Sequence, residues 1–494
     1  MLDEDRIRTI VQRVVAQMGP GEAADRSDLP PRPLRGKGES EPPPRLGEGT
    51  GVRSPGAFSD VDSAVAAART AQRAWGALTL ERRGEILAAL RQAVRDNAAL
   101  LARLAHEETG LGRLEDKTQK NLLVANKTPG IEDLRPLAWS GDRGLTLVEP
   151  APYGVVGAIT PITNPTSTII CNAIGILAAG NTAVFNAHPG AKAVSATTIA
   201  LLNRVIVAAG GPPNTLTCPL EPTIASAQAL MRHPNIRLLI VTGGPGVVRE
   251  AMHSGKKAIC AGPGNPPVVV DETADLDQAG RDIVFGAGFD NNVVCVLEKE
   301  IFAVDTIADG LKAVMKRHGA VEITSWQLAR LMKVIFQEIK GPREEGVINK
   351  DWVGQNAGRI LKEIGVAAGD EVRIIIAEVD ADHPLVWTEQ LMPVIPLVRV
   401  RNADEAIDLA IAAEGGRGHT AIMHSKHLDH LSRMAREVNT TIFIKNGPSL
   451  AGLGFGGEGY TSFSIASPTG EGLTSAKDFS RVRRCTLVDS FRIV

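Results

Sequence analysis

The chain opens on a short hydrophobic stripe. Ile7, Ile10, Val11, Val14, Val15 and Met18 recur at intervals of three and four, which places them along one face of a helix over residues 1–18. Asp3 is placed to cap that helix, and Leu2 to staple onto Ile7. Residues 19–55 are dominated by Pro, Gly and charge (Pro30-Pro31, Pro42-Pro43-Pro44, Gly47, Gly49, Gly51). Such a stretch buries too little apolar surface to offset its ordering entropy, which predicts a disordered linker. A stripe on this tether has no neighbour in the chain to cover it. It either folds back on the globule, lies on a membrane surface or docks in a groove of another protein. Asp3, Glu4 and Asp5 cancel Arg6, Arg8 and Arg13, and no aromatic residue anchors the stripe, so docking is the expectation.

From Ser59 the pattern becomes that of a folded domain. Ser59 and Asp62 are spaced as a capping box, with Val61, Val65 and Ala68 on one face behind them. Ile86, Leu87, Leu90, Val94, Leu101 and Leu104 keep helical period up to a stop at Gly110. Strand-like runs then alternate with Ala-rich helical ones: Val155 to Ile159, Thr182 to Phe185, Arg237 to Thr242 and Pro267 to Val270. A second such block runs from about Asp271 to Lys445, with strands at Glu300 to Val304, Arg373 to Ala377 and Ile395 to Val400. This alternation predicts α/β architecture with parallel sheets and crossover helices.

Composition narrows the partners. The 494 residues carry a formal net charge of −2 and are 44% hydrophobic, enough for large cores in two or more domains. There is no continuous basic stripe, and aromatics make up only 4%, so nucleic acid is not an expected partner. Five cysteines without a CxxC or His-rich pairing fit a reducing compartment and predict neither a disulfide framework nor a metal site. No uninterrupted apolar run reaches bilayer length, and a cytosolic, non-membrane protein is expected.

Among the cysteines, Cys295 follows a Gly-rich run and the Asn291-Asn292 pair, a placement that suits a nucleophile or a plain buried cysteine. Cys171 lies in an apolar helical run, and Cys218 and Cys485 have no evident base or turn. Cys260 competes, since Lys256 and Lys257 would favour its thiolate. The one literal G-x-G-x-x-G, Gly452 to Gly457, follows a strand (Thr441 to Lys445) but opens no helix, so it reads as a loop. Two other turns are better placed. Thr160-Pro161-Ile162-Thr163-Asn164-Pro165 and Thr242-Gly243-Gly244-Pro245-Gly246 stand at C-terminal strand ends, where open α/β sheets bind ligands.

Taken in order from about Gly56, several segments resemble the aldehyde dehydrogenase family, and most closely its CoA-acylating branch. They are Pro161 to Thr166, Gly180 to Asn186, Ala261 to Asn265, Cys295, Glu389 with Pro393, and Ser467 to Ala476. The resemblance implies a Rossmann-like nucleotide domain at 56–264, with oligomerisation strands near 129–150, and a catalytic domain at 265–445. It also implies a segment, 446–494, that returns to the nucleotide domain and an oligomer interface. By the same resemblance Cys295 is the nucleophile, and Asn164 is the oxyanion-hole side chain beside the Cys295 backbone N–H. Thr160, Pro161 and Ile162, with Thr242, Gly243 and Gly244, form the cofactor's backbone cradle. Glu389 takes the nicotinamide ribose, the alternative being a solvated surface acid, and Leu391 stands where hydrolytic relatives have Phe. Asn186 replaces the Lys that grips the adenosine ribose, with His188 nearby as a second cofactor residue or an ordinary loop histidine.

The departures set the chemistry expected. Hydrolytic members carry a water-activating Glu where this chain has Ala261, so no such base is expected and the acyl-enzyme should wait for a thiol. The resemblance thus implies oxidation of a short aldehyde, propanal before acetaldehyde, with NAD and coenzyme A. The route is ping-pong, with NADH leaving before CoA attacks. The rivals are a phosphorylating or reductive semialdehyde dehydrogenase and a non-catalytic lumen scaffold. Residues 1–18 resemble encapsulation peptides, which implies a shell-protein partner, the lumen of a bacterial microcompartment and a homo-oligomer, dimer or tetramer.

Overall fold

The computed structural model describes residues 55–494. The expected helix at 1–18 and nearly all of the linker at 19–55 lie outside the described residues.

Two parallel sheets organise the chain. The first runs, in spatial order, Ala57–Phe58, Leu216–Pro219, Thr182–Asn186, Val155–Ile159, Ile236–Thr242 and Lys257–Ala261, with every pairing parallel. Val155–Ile159 is laid down in the middle, and the chain fills one side and then crosses to the other. The strand order therefore reverses between Val155–Ile159 and Ile236–Thr242. Both central strands Val155–Ile159 and Thr182–Asn186 are buried along their whole length, as a sheet covered on two faces requires. Full burial of each Val or Ile there is worth about 1.5–3 kcal/mol.

The second sheet runs Ala320–Ile323, Ile374–Glu378, Val394–Val400, Glu300–Val304, Pro267–Val270, Thr420–His424 and Ile442–Lys445, again all parallel. One hydrophobic cluster runs through both sheets, from Val156 and Phe185 to Val268, Ile301 and Ile422. Sequence periodicity missed Lys257–Ala261 and Thr420–His424, in which Lys257 and a buried His424 break the apolar run.

The helix Val61–Gly76 is capped by Asp60 rather than Ser59: the Asp60 carboxylate accepts from Ser63 N at 2.7 Å. Leu80–Thr109 is capped by Thr79 and stops at Gly110, whose φ of 67° favours glycine. A third, antiparallel sheet places Gly144–Pro152 between Leu137–Gly141 and the returning Ser480–Val488. It leaves Leu137, Trp139, Val482, Leu487 and Val488 exposed. The segment Pro189–Ala208 is long and apolar enough to cross a membrane by length and composition, but it packs on Leu80–Thr109 with most of its length buried.

A candidate active site between two sheet edges

The helix Leu276–Gly288 runs into a turn in which Asp290, Asn291 and Asn292 all take left-handed backbone, with φ of 46°, 51° and 66°. Asp and Asn tolerate this region best among residues with a side chain, but three in succession need outside support. They have it. The fully buried Asp290 carboxylate accepts from Arg113 N at 2.7 Å, from Lys117 Nζ at 3.2 Å and from Lys120 Nζ. Gly112 lies so close that a Cβ there would overlap Asp290 Oδ1. Asn291 Nδ2 donates to Gly354 O at 2.9 Å, and Asn292 Nδ2 to Ala287 O at 2.9 Å. Leu391 also has left-handed backbone (φ 53°), and its carbonyl accepts from Gly354 N, which ties it to the same turn.

The turn delivers Cys295, which is half-buried, whereas Cys171, Cys218 and Cys260 are buried and Cys485 is exposed. Burial, reinforced by the Glu389 carboxylate, pushes the Cys295 thiol up to about 12, while the Lys299 ammonium pulls it down. Ionisation of the resting thiol is thus not favoured, and a proton acceptor is needed. The competing candidate is overturned. Lys256 spends its ammonium on the carbonyls of His233 and Ile236, and burial with Glu471 pushes the Cys260 thiol up to about 11.

Around Cys295 stand Gly264 and Glu389, both within segments singled out from the sequence, and His419, which sequence reasoning missed. A Cβ on Gly264 would lie 2.7 Å from the Cys295 carbonyl and 2.9 Å from the His419 ring. Glu389 Oε1 accepts from Gly264 N at 3.4 Å, so it is no solvated surface acid. Burial raises the Glu389 carboxyl, and Lys299 opposes the shift. His419 is fully buried, with Nδ1 2.9 Å from Thr420 Oγ1 and with no partner for Nε2 among the described residues. Burial lowers it to about 4, so it is a neutral imidazole at pH 7. Ala261 carries no carboxylate, as read from the sequence; the titratable side chains that adjoin Gly264 are Glu389 and His419.

Facing this group are the C-terminal ends of the first sheet. Asn164 precedes the helix Pro165–Ala178; its Oδ1 accepts from Lys120 Nζ at 2.6 Å and its Nδ2 donates to Thr163 Oγ1 at 3.1 Å. Burial lowers Lys120 to about 8, against the pull of Asp290. Thr160 N donates to Asn186 O at 3.3 Å, so these two strand ends adjoin, and Ile162 packs against Ala191 and Val194. Thr242 Oγ1 lies 2.7 Å from Ser464 Oγ, and Gly243 N donates to Ala261 O. The Asn186 carboxamide is committed to Ser226 Oγ (2.6 Å) and Thr223 O (3.5 Å). His188 is exposed and caps the turn Pro189–Ala191 by accepting from Gly190 N. The structure therefore joins Cys295 with Glu389 through Gly264, and with Asn164 through Asp290 and Lys120. Asn186 ends the strand next to Thr160, with its carboxamide turned to Ser226 and Thr223, and His188 follows it on the surface.

A dinucleotide suits this edge. It lies at the strand-order reversal, Thr160 Oγ1 is buried without a partner among the described residues, and Gly244 opens the helix Pro245–Met252 with nothing within 4 Å of a Cβ placed there. Among the described residues no group of three or more His, Cys, Asp or Glu could hold a metal ion.

The chain is similar to several known proteins. A model of the aldehyde dehydrogenase family matches residues 46–323. The acetaldehyde dehydrogenase (acetylating) EutE of Salmonella typhimurium is 50% identical over 444 residues, covering 90% of this chain and 94% of that protein. Rhodopseudomonas palustris propionaldehyde dehydrogenase, solved with bound CoA and an acylated cysteine, is 48% identical with a TM-score of 0.85, over 88% of this chain and 98% of that one. A propionaldehyde dehydrogenase from the Clostridium phytofermentans fucose utilisation bacterial microcompartment is 46% identical with a TM-score of 0.86, over 89% and 100%.

Proposed function

The chain belongs to the aldehyde dehydrogenase family, in its CoA-acylating branch, and on that premise we propose that it converts propanal, NAD and coenzyme A to propanoyl-CoA and NADH. The observation that carries the mechanism is the cluster of Cys295, Gly264, Glu389 and His419 facing Asn164. The Cys295 sulfur adds to the aldehyde carbonyl as its thiol proton passes to the neighbouring Glu389 carboxylate. Asn164 Nδ2 and the Cys295 backbone N–H donate to the oxygen as its charge develops. Thr160 to Ile162 and Thr242 to Gly244 would hold NAD, with Glu389 at its ribose; when bound there it accepts the hydride lost from the carbon. What remains on Cys295 is a thioester. The CoA thiol then attacks, giving its proton to Nε2 of neutral His419, which has no partner among the described residues. The C–S bond to Cys295 breaks, acyl-CoA is released, and the departing Cys295 sulfur takes the proton back from His419. The acetylating relative, at 50% identity, makes acetaldehyde the second reading.

Residues 1–18 are proposed to dock the enzyme on a microcompartment shell protein. The apolar exposed face of the antiparallel sheet is proposed to join copies into a homo-oligomer. The decisive experiment omits CoA. Aldehyde and NAD alone should give a burst of NADH no larger than the active sites present, and CoA should then release steady turnover. Rapid CoA-independent acid formation would overturn the thioester-waiting mechanism. The ratio of kcat/KM for propanal to that for acetaldehyde decides the substrate.

A further inference from the structure

Two buried ammonium groups share one carboxylate beside the nucleophile turn. Lys117 and Lys120 sit one turn apart on the helix Leu114–Lys127, their side chains each 3% exposed, and both reach Asp290 Oδ2. Burying a charge is costly, and a single lysine would neutralise Asp290, which also accepts from Arg113 N. The second lysine needs another reason to be there. Among the described residues only Lys120 has a further partner: its Nζ donates to Asn164 Oδ1 at 2.6 Å.

We infer that Lys120 is a positioning residue, which aims the Asn164 carboxamide and locks it to the turn that carries Cys295. A carboxamide can turn over and exchange its oxygen and nitrogen. Lysine has donors and no acceptor, so Asn164 must show it the oxygen, and Nδ2 is forced to the opposite side. There one N–H is spent on Thr163 Oγ1, and the other is left for the substrate oxygen. Without Lys120 the amide is free to present its own oxygen to the developing negative charge. Through Asp290 the same ammonium holds the donor and the nucleophile turn in one register, although they come from different sheets. The inference rests on the reading of Asn164 as the oxyanion donor.

The test measures the rate of the NADH burst, with NAD affinity as a check on the fold. Lys120→Met is expected to slow the burst ~10²-fold, as loss of an oriented oxyanion donor does, with the KM for aldehyde within about threefold. In an Asn164→Ala background the same change should cost less than about threefold, because the group it positions is gone. Lys117→Met removes a similar buried charge from Asp290 without touching Asn164, and should cost at most about threefold. If Lys120→Met does not fold, Lys120→Gln keeps a polar side chain at the site but without the charge and with its nitrogen one bond short of the Nζ position, and the same order of effects applies. Equal losses in the two lysine variants, or losses at Lys120 and Asn164 that multiply, would overturn the inference. A slow Asn164→Ala beside an unimpaired Lys120→Met removes it alone; a wild-type burst in Asn164→Ala removes the oxyanion reading as well.

Discussion

The two parallel sheets bring opposite ends to one cleft. The first presents its C-terminal edge, with Thr160, Asn164, Asn186 and Thr242 just beyond or at the ends of their strands. The second presents its N-terminal edge: Gly264 precedes Pro267–Val270, Cys295 precedes Glu300–Val304, Glu389 precedes Val394–Val400 and His419 precedes Thr420–His424. At a C-terminal edge, turns and helix N-termini offer backbone N–H groups, so a ligand can be held with few special side chains. An N-terminal edge is fed by helix C-termini and has no helix N-termini to offer, so its backbone donors are single groups such as the N–H of Gly264 and of Cys295. Chemistry there must be done by side chains, and this is where Asp290, Glu298, Lys299, Glu300 and His419 are buried. The second sheet's own C-terminal edge is closed instead by ion pairs, Lys312 with Glu322 and Glu378, and Arg399 with Glu378, Asp305 and Asp309.

That contrast is most directly broken at Cys295. Cys295→Ser should lower acyl-CoA formation at least ~10⁴-fold, as loss of a nucleophile does, while NAD binding at the other edge stays within about twofold by equilibrium titration. Cys260→Ser, within the first sheet, should be nearly silent in the same assay.

The next largest effect is at His419. His419→Ala should leave the NADH burst near normal but slow CoA-dependent turnover ~10²-fold, the usual contribution of a positioned base. Stopped-flow traces with and without CoA separate the two steps; a lost burst would place His419 in the first half-reaction.

Glu298 probes the stability cost of side-chain chemistry at this edge. Burial raises its carboxyl to about 7, although Ser449 N and Oγ both donate to it at 2.7 Å. An acid raised above its unfolded value keeps its proton longer when folded. Folding stability therefore falls as pH rises from about 4.5 to about 7, by about 3 kcal/mol. Glu298→Gln should remove that fall, so the two melting temperatures should diverge with rising pH across this window. Parallel curves would show that Glu298 does not titrate there.

The smallest effect belongs to the edge that does no chemistry. Arg399→Met should cost at most about 1 kcal/mol in denaturant unfolding, less at high salt, because its partners are largely exposed. Its kcat and KM should not move.

The same contrast governs what could be read from the sequence. Strands such as Pro267–Val270 and Glu300–Val304 fall where the apolar runs put them, because a sheet buried on both faces leaves little room for polar residues. Thr160 and Thr242 were legible as strand-end turns, and Cys295 by its neighbours. Lys117 and Lys120 were not. Lysines at helical spacing ordinarily mark a solvated face, and here that face is buried by Asp290, 170 residues beyond Lys120. His419 was passed over because a lone histidine before a strand has no local pattern; only the fold brings it to Gly264.

The left-handed turn at Asp290 to Asn292 also bears on how such a site can be redesigned. Its backbone admits few residue types, and each is held by groups far away in sequence: Gly112 for clearance, Arg113 and the two lysines for charge, Gly354 for Asn291. Grafting the nucleophile loop into another scaffold would carry the sequence but not the conformation. The smallest transplantable unit is the loop together with 112–121 and the Gly354 backbone. A chimera that leaves either behind should relax the turn and move the sulfur away from its partners.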